Sequence, residues 1–218
     1  MSVLIEVDSL TKSFGPFIAV DDINFSLKRG EVLGFLGPNG AGKTTTMRMI
    51  TGFLFPTKGK ISVCGHDVSE NPIAIKEKIG YVPEGAPLYG EMTVMNFLRF
   101  IADIRKIPKN KVNDAIHSAI KKLGLELVLY QQIETLSKGY KRRVGLSQAI
   151  IHDPDVLILD EPTDGLDPNQ KHEVRKLIKE MSSTKAIIIS THILEEVDAV
   201  CTRAMIIAKG RMIVDKSP

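Results

Sequence analysis

Residues 32–45 of the chain read VLGFLGPNGAGKTT, in which an apolar run is followed by a glycine-rich segment and a Lys-Thr-Thr triplet. The apolar run predicts a buried strand, and the residues from Gly42 to about Phe53 predict a helix. A strand, a glycine-rich turn and a helix in this order are the setting in which the pattern G-x-x-x-x-G-K-[ST] binds phosphate. A plain glycine-rich turn with one solvated lysine is the alternative, but it does not require this setting.

The residue types of this loop indicate its chemistry. Glycines let backbone N–H groups approach a phosphate closely, and the start of the helix adds its dipole. Lys43 can reach the β- and γ-phosphates of a nucleotide, and the hydroxyl of Thr44 is suited to bind Mg²⁺. The predicted nucleotide-binding residues are Gly37, Pro38, Asn39, Gly40, Ala41, Gly42, Lys43, Thr44 and Thr45.

A second stretch, VLILDEP, places two carboxylates directly after a buried strand. Open α/β sheets bind their ligands at the carboxyl ends of strands. Asp160 is therefore predicted to hold Mg²⁺, as the acidic strand-end residue of P-loop NTPases does. Glu161 is the candidate base that orients the attacking water. Alternatively, both could be ordinary strand-end carboxylates exposed to solvent.

His192 follows a third apolar run, AIIIS, after one threonine. It is therefore also predicted at the carboxyl end of a strand, where it can contact the γ-phosphate. A single histidine is more often structural than catalytic. Its expected position beside Asp160 and Glu161 favours a functional role.

The remaining patterns place these stretches in a fold. Short β-like runs separated by turns fill residues 1–36, and the strand candidates KISVCG and IGYVP flank the helical NPIAIKEK. Residues 88–152 show only helical spacing of apolar residues. The buried-strand runs DVLILD and KAIIIS then flank the helical NQKHEVRKLIKEM. We therefore predict an α/β fold: a P-loop NTPase core with a mixed or parallel sheet, an N-terminal antiparallel β subdomain and an inserted helical subdomain.

Composition limits the function classes. The 218 residues fit one domain, and 29 Lys and Arg against 26 Asp and Glu give a net charge of +3, so no nucleic-acid partner is expected. No apolar run approaches the roughly 20 residues that span a bilayer, and the first residues do not resemble a secretory signal. Cys64 and Cys201 lack metal-ligand spacing and are interpreted as free thiols in a reducing compartment.

Residues 135–143, TLSKGYKRR, place three cations in the first turn of a predicted helix. A helix start already carries partial positive charge, so Lys141, Arg142 and Arg143 are unfavourable there unless an anion lies nearby. The alternative is a plain N-cap at Ser137 followed by a solvated face.

Taken in order, these stretches resemble the nucleotide-binding subunit of an ABC transporter. The resemblance covers nearly the whole chain and is carried by Phe14, residues 37–45, Glu84, Ser137 to Gly139, Asp160 and Glu161, DGLD at 164–167, and His192. It implies an ATPase that uses ATP and Mg²⁺. It also implies a single ABC ATPase domain over 1–218, with a catalytic core at 1–87 and 153–218 and a helical subdomain at 88–152.

The resemblance implies further site residues. Phe14 would stack on adenine, whereas alone it would be interpreted as a core or turn aromatic. Ser137 and the backbone of Gly139 would donate to the γ-phosphate of an ATP held by a second subunit, which would supply the anion near the three cations. Asp167 would help line the dimer seam, whereas alone it would be a turn or cap before a helix.

Two departures from the family pattern stand out. Glu84 takes the place of a glutamine, and a carboxylate there can reach Mg²⁺ or the attacking water but adds negative charge beside the γ-phosphate. LSKGY replaces the usual LSGGQ, although Ser137 and Gly139 remain. Together with LDPNQ, these features resemble the ABC-2 type exporter branch, which includes multidrug and gliding-motility proteins.

The partners that the resemblance implies are a homodimer or an equivalent second ATPase subunit, and an integral membrane permease. The permease is predicted to dock near Glu84–Tyr89 and the helical subdomain, which places the protein at the cytoplasmic face of the membrane. A soluble ABC-type ATPase acting on ribosomes or DNA is the main alternative. A small-molecule kinase is another, but it would not need Ser137, Gly139 and Asp167 together.

Overall fold

The computed structural model describes residues 2–85 and 87–217. Within these residues the chain forms two β-sheets and seven α-helices. The strands are β1 (Val3–Phe14), β2 (Phe17–Lys28), β3 (Val32–Leu36), β4 (Lys58–Val63), β5 (His66–Asp67), β6 (Ile79–Val82), β7 (Val156–Asp160), β8 (Ala186–Thr191), β9 (Arg203–Ala208) and β10 (Arg211–Lys216). The helices are α1 (Lys43–Ile50), α2 (Pro72–Lys78), α3 (Val94–Ile104), α4 (Lys109–Leu123), α5 (Lys138–Ile150), α6 (Pro168–Ser182) and α7 (Leu194–Val200).

The smaller sheet is antiparallel and has the strand order β2-β1-β4-β5. Its first two strands are longer than the short runs expected from the sequence, and they meet in a hairpin whose last pair is Phe14 and Phe17. The predicted strand KISVCG becomes β4, which pairs with β1 in this sheet. This arrangement confirms the predicted N-terminal antiparallel β unit.

The larger sheet has the order β10-β9-β3-β8-β7-β6 and is parallel except for β10 at its edge. Strands β7 and β8 are buried along their whole length, as expected for central strands covered on both faces. Leu157 and Leu159 belong to one hydrophobic core, whereas Val156 and Ile158 belong to the other. The sheet therefore separates two cores, and the predicted mixed-sheet α/β fold is confirmed.

The helices that cover the sheet match the predicted periodic segments, with one difference in length. Helix α1 ends at Ile50 rather than near Phe53, because Gly52 adopts a left-handed conformation with a φ of 69°. In the part of the chain that the structure describes, no helix is both long and apolar enough to cross a membrane.

Helices α3, α4 and α5 lie in the region predicted as a helical subdomain. Around them are two short 3₁₀ helices, Glu126–Val128 and Ile133–Thr135, and an isolated bridge between Thr93 and Gln132. Their apolar residues share one core with strand residues of the larger sheet. The division of the chain at 88 and 152 remains a prediction, and Met1, Ala86 and Pro218 lie outside the described residues.

A buried histidine gives the fold a predicted pH dependence. The Nε2–H of His152 donates to the carbonyl of Ile79 at 3.2 Å. Burial and the nearby charge of Arg105 lower the pKa of His152 to about 4. The unfolded chain, with an ordinary histidine pKa near 6.5, therefore binds the proton first as the pH falls.

We expect the free energy of unfolding to decrease as the pH falls from about 6.5 to about 4, by up to about 1.4 kcal/mol per pH unit from this group. Urea unfolding of the wild type and of His152→Gln at pH 7 and pH 5 would measure this effect. The variant should lose less stability between the two values than the wild type. Equal losses would exclude the histidine as the cause.

Candidate active site

The phosphate-loop candidate lies between the end of β3 and the start of α1 and is closely surrounded by backbone. A Cβ atom at Gly37 would lie 2.3 Å from the carbonyl oxygen of Ile207, which is too close for any side chain. Gly42 has a φ of 106°, and a Cβ there would lie 2.7 Å from the carbonyl oxygen of Ala19. Both positions therefore require glycine, and the loop is seated against β2 and β9.

Lys43 is enclosed by this loop, with only 6% of its surface exposed. Its Nζ donates to the carbonyl oxygens of Gly37 at 2.6 Å and Pro38 at 3.2 Å. The lysine is thus buried inside the curve of the loop rather than solvated. A buried ammonium whose two hydrogen bonds within the described residues go to neutral carbonyls is well placed to gain an anionic ligand.

Asp160 ends β7 directly opposite the first turn of α1. It is 1% exposed, and Thr44 Oγ1 donates to its Oδ2 at 2.9 Å. The hydroxyl of Ser190 donates to the other carboxylate oxygen, Oδ1. A carboxylate and a threonine hydroxyl at this distance are oxygen donors of the kind that Mg²⁺ prefers, so the residues fit this ion.

Glu161 follows Asp160 in an unusual backbone conformation, with a φ of 48°. Its N–H donates to Ser190 Oγ at 3.0 Å. Its side chain is buried and accepts a hydrogen bond at 3.1 Å from Nδ1 of His192, which is itself 51% exposed. Burial raises the pKa of Glu161, although the hydrogen bond from His192 opposes this effect. The structure therefore brings together Asp160, Glu161 and His192, as the sequence predicted.

The three cations of the α5 first turn find partners within the chain. Lys141 Nζ donates to the carbonyl oxygen of Glu134 at 2.8 Å. Arg143 Nη1 donates to the carbonyl oxygen of Leu123 at 3.4 Å. Arg142 donates to carbonyls at the end of β7. Carbonyl dipoles within the chain thus offset part of the charge for which the sequence predicts an anion, and these long-range contacts could not be predicted from the sequence.

The residues around this turn also act as local caps. Ser137 Oγ accepts from the N–H of Tyr140 at 3.4 Å, and Asp167 Oδ1 accepts from that of Gln170 at 2.9 Å. The two helix starts lie against each other, because a Cβ at Gly139 would be 2.3 Å from the Gln170 side chain. The structure therefore brings the exposed Ser137 and Asp167 to two adjoining helix starts, with the buried Gly139 at their contact.

Two predicted residues lie at the periphery. Phe14 is half exposed at the tip of the β1–β2 hairpin, and the Lys12 ammonium lies 5.2 Å from its ring centre. Glu84 follows β6 at the edge of the sheet and lines a cleft of about 440 Å³ that Arg142 and Glu161 also line. This cleft separates the sheet edge from the start of α5.

Sequence reasoning missed a buried glutamate in this region. Glu196 accepts hydrogen bonds from Thr163 Oγ1, from Thr191 Oγ1 at 2.8 Å and from Lys171 Nζ at 3.3 Å. Burial raises its pKa, but these donors outweigh that effect and hold the pKa below the ordinary value. The network joins the segment after Glu161 to the segment before His192. In the sequence, Glu196 is one of two adjacent glutamates on a short helix, and no pattern distinguishes it.

The fold and its strand-end residues define a P-loop NTPase. Residues 20–164 match the family model described as ABC transporter. A Bacillus subtilis (strain 168) protein named as an uncharacterized ABC transporter ATP-binding protein, YhcH, is 36% identical over 98% of this chain and 70% of its own length. The chain therefore belongs to the ABC transporter family, as an ATP-binding protein, and the domains of this family are ATPases coupled to transport.

Two further comparisons agree with this assignment. The Nod factor export ATP-binding protein I of Cupriavidus pinatubonensis (strain JMP 134 / LMG 1197) is 33% identical over 100% of this chain and 67% of its own length. The solved structure of cbiO1 from Clostridium perfringens, part of the ABC transporter complex cbiONQ, is 32% identical. It aligns with a TM-score of 0.89 over 100% of this chain and 90% of its own.

Proposed function

We propose that this chain is the motor subunit of an ABC exporter, in which two copies enclose two ATP molecules and hydrolysis reopens them. The observation that carries this proposal is the position of Glu161. It is a buried carboxylate with a hydrogen bond from His192. It also directly follows Asp160, which faces Thr44 in the first turn of α1, next to the phosphate loop. This arrangement supports the hydrolysis of a nucleotide at this edge of the sheet.

Each site residue then has a role. Lys43 binds the β- and γ-phosphates, while backbone N–H groups of residues 37–45 surround them. Thr44 and Asp160 would hold Mg²⁺, with Glu84 as a further candidate ligand, and the bound ion would supply positive charge against the phosphates. Glu161 accepts a proton from the attacking water, and its burial supports this role because desolvation of the carboxylate raises its pKa.

His192 has two contributions in this scheme. Its Nδ1–H holds the Glu161 carboxylate in one orientation. Because half of its side chain is exposed at the strand end, its other nitrogen is free to contact a γ-phosphate. A histidine with these two contacts would sense whether the γ-phosphate is present.

The second subunit would bind through the surface formed by the starts of α5 and α6. Ser137 and Asp167 are both exposed there, and the buried Gly139 packs against Gln170 at the start of α6. Contacts from this surface to γ-phosphate exist only before hydrolysis, so cleavage removes the interactions that hold two copies together. Phe14 is proposed to stack on the adenine of the same subunit.

The membrane permease is proposed to dock in an apolar groove between the catalytic core and the helical region. The groove has a volume of about 1270 Å³ and is lined on one side by Phe53 and Tyr81 and on the other by Ile104 and Ile107. Pro87, within the predicted docking segment 84–89, also lines it. Ala86 of that segment lies outside the described residues.

The exporter assignment has two supports. One is the resemblance of LSKGY, LDPNQ and Glu84 to the ABC-2 branch. The other is the similarity to a protein named for Nod factor export. The chain would then work at the cytoplasmic face of the membrane, attached through its permease.

Docking can be tested with one variant in the groove. Ile104 is 57% exposed, and Ile104→Glu would place a charge on the apolar surface. We expect the tagged wild type, extracted gently in detergent, to retain a polytopic membrane protein in stoichiometric amount, as identified by mass spectrometry. The variant should lose that protein.

Leu127→Glu is the matched control, because Leu127 is 84% exposed in the same helical region but does not line the groove. This control should retain the membrane partner. Recovery of ribosomal or DNA-bound partners without a membrane protein would instead support a soluble ABC ATPase. Equal losses from both variants would contradict the proposed groove.

A further inference from the structure

Arg142 joins the helix that begins at Ser137 to the end of β7. Its Nε donates to the carbonyl of Pro162 at 2.9 Å, and its Nη2 donates to the carbonyls of Asp160, at 2.8 Å, and Glu161. One guanidinium thus binds three consecutive carbonyls around the proposed base. These residues lie 18 to 20 positions away in the sequence, so the contact is not local.

The backbone of Glu161 requires such support. A non-glycine residue with a φ of 48° lies in a sparsely populated region and persists only where its surroundings hold it. Here the N–H of Glu161 is bound to Ser190 and its carbonyl to Arg142. The peptide groups on both sides of the carboxylate are therefore restrained, one by β8 and one by α5.

Arginine is suited to this contact in a way that lysine is not. A guanidinium presents several N–H donors in a rigid plane, whereas an ammonium is a compact charge on a flexible stem. Burial lowers the pKa of the Arg142 guanidinium, and the nearby carboxylates of Asp164, Asp160, Glu161 and Glu84 oppose this effect. The positive charge of Arg142 therefore lies near four carboxylates, while its hydrogen bonds go to the backbone carbonyls of residues 160–162.

We propose that Arg142 is a positioning residue that couples the orientation of the Glu161 carboxylate to the position of the α5 start at Ser137. When Ser137 contacts a nucleotide, Arg142 then holds Glu161 of the same chain in the orientation that hydrolysis requires. This inference rests on the proposed function, in which Ser137 contacts the ATP of the second subunit. Ser137 is the N-cap of α5, and Arg142 lies five residues later in the same helix. A movement at the start of this helix is therefore transmitted to the carbonyls of residues 160–162.

The first test is Arg142→Lys, which keeps the charge but loses the planar donors. We expect kcat for ATP hydrolysis to fall at least tenfold, while KM for ATP stays within twofold of the wild type. Arg143→Lys is the matched control, because Arg143 lies in the same turn but its hydrogen bond goes to the carbonyl of Leu123 and its guanidinium lies over the Tyr140 ring, away from residues 160–162. The control should change kcat less than twofold.

The outcomes separate positioning from simple support of the fold. An unchanged kcat in Arg142→Lys would overturn the proposal. A lower melting temperature together with an altered KM for ATP would also overturn it, because a merely structural loss affects binding and turnover alike. Only a selective loss of kcat, absent from the control, supports it.

A second experiment separates this inference from the proposed function and does not depend on the folding of an Arg142 variant. Hydrogen exchange is measured for Glu161→Gln with and without Mg-ATP, alongside light scattering. If no dimer forms, the proposed closure of two copies on ATP without the permease fails, and the inference that depends on it fails too. If a dimer forms and exchange slows at the start of α5 and in residues 158–164 together, the inference is supported. Slowing at α5 alone would overturn the inference and leave the proposed function intact.

Discussion

Glu161→Gln should lose most ATP hydrolysis while it still binds ATP. The substitution keeps the shape of the side chain and can still accept a hydrogen bond from His192 Nδ1, which lies 3.1 Å from Oε1 in the wild type. It removes the carboxylate that is proposed to take a proton from the attacking water. Because general-base catalysis contributes roughly 10²- to 10⁴-fold, we expect kcat to fall by that factor.

Steady-state phosphate release measures this loss, and an ATP-binding titration measures whether affinity is retained. Glu195→Gln is a matched control, because Glu195 is an exposed glutamate three positions after His192 and no role is proposed for it. It should retain the turnover of the wild type. Turnover of Glu161→Gln within threefold of the wild type would exclude Glu161 as the base.

The same variant should also accumulate as an ATP-bound dimer. Since the γ-phosphate is not removed, the contacts proposed at Ser137, Gly139 and Asp167 persist. Light scattering with Mg-ATP should show twice the monomer mass, and ADP should restore the monomer. A monomer under both conditions would count against two copies closing on ATP without the permease.

Lys43→Ala should act one step earlier, by weakening ATP binding itself. The buried ammonium now donates to two carbonyls of its own loop, and a phosphate placed there would gain charge-assisted hydrogen bonds. Bonds to charged groups contribute about 1.5–3 kcal/mol, which corresponds to about 10- to 100-fold in affinity. We expect the dissociation constant for Mg-ATP to rise by that factor.

A fluorescent ATP analogue gives this constant directly. Lys60→Ala is the control, since Lys60 is an exposed lysine on β4 of the antiparallel sheet. It should bind the analogue like the wild type. Unchanged affinity of Lys43→Ala would refute the phosphate role of this lysine, whatever happens to turnover.

The sequence predicted those parts of the fold in which local pattern and burial agree. Strands β7 and β8 are uninterrupted apolar runs that end in polar residues, and parallel central strands have this composition. The expectation that Asp160, Glu161 and His192 meet was correct because the carboxyl ends of neighbouring parallel strands lie along one edge of the sheet.

The supporting residues could not be predicted, because their roles depend on contacts between distant parts of the chain. Ser190 is an ordinary serine at the end of an apolar run, yet it binds both Asp160 and the N–H of Glu161. From the sequence, Arg142 is expected near an anion or on a solvated face, and no pattern distinguishes Glu196. Only the folded chain shows that one binds the carbonyls after β7 and that the other is buried among hydroxyl groups.

The burial of both faces of β7 and β8 affects how these two strands find their native register during folding. Both faces of these strands are apolar, so a slip of one residue would exchange the two cores without exposing polar groups inside them. The register is instead marked at the strand ends, where Asp160 pairs with Ser190. The Asp160–Ser190 pair thus marks the correct register, and correct pairing of β7 with β8 also brings Asp160 and Glu161, the residues proposed to act in hydrolysis, to Ser190.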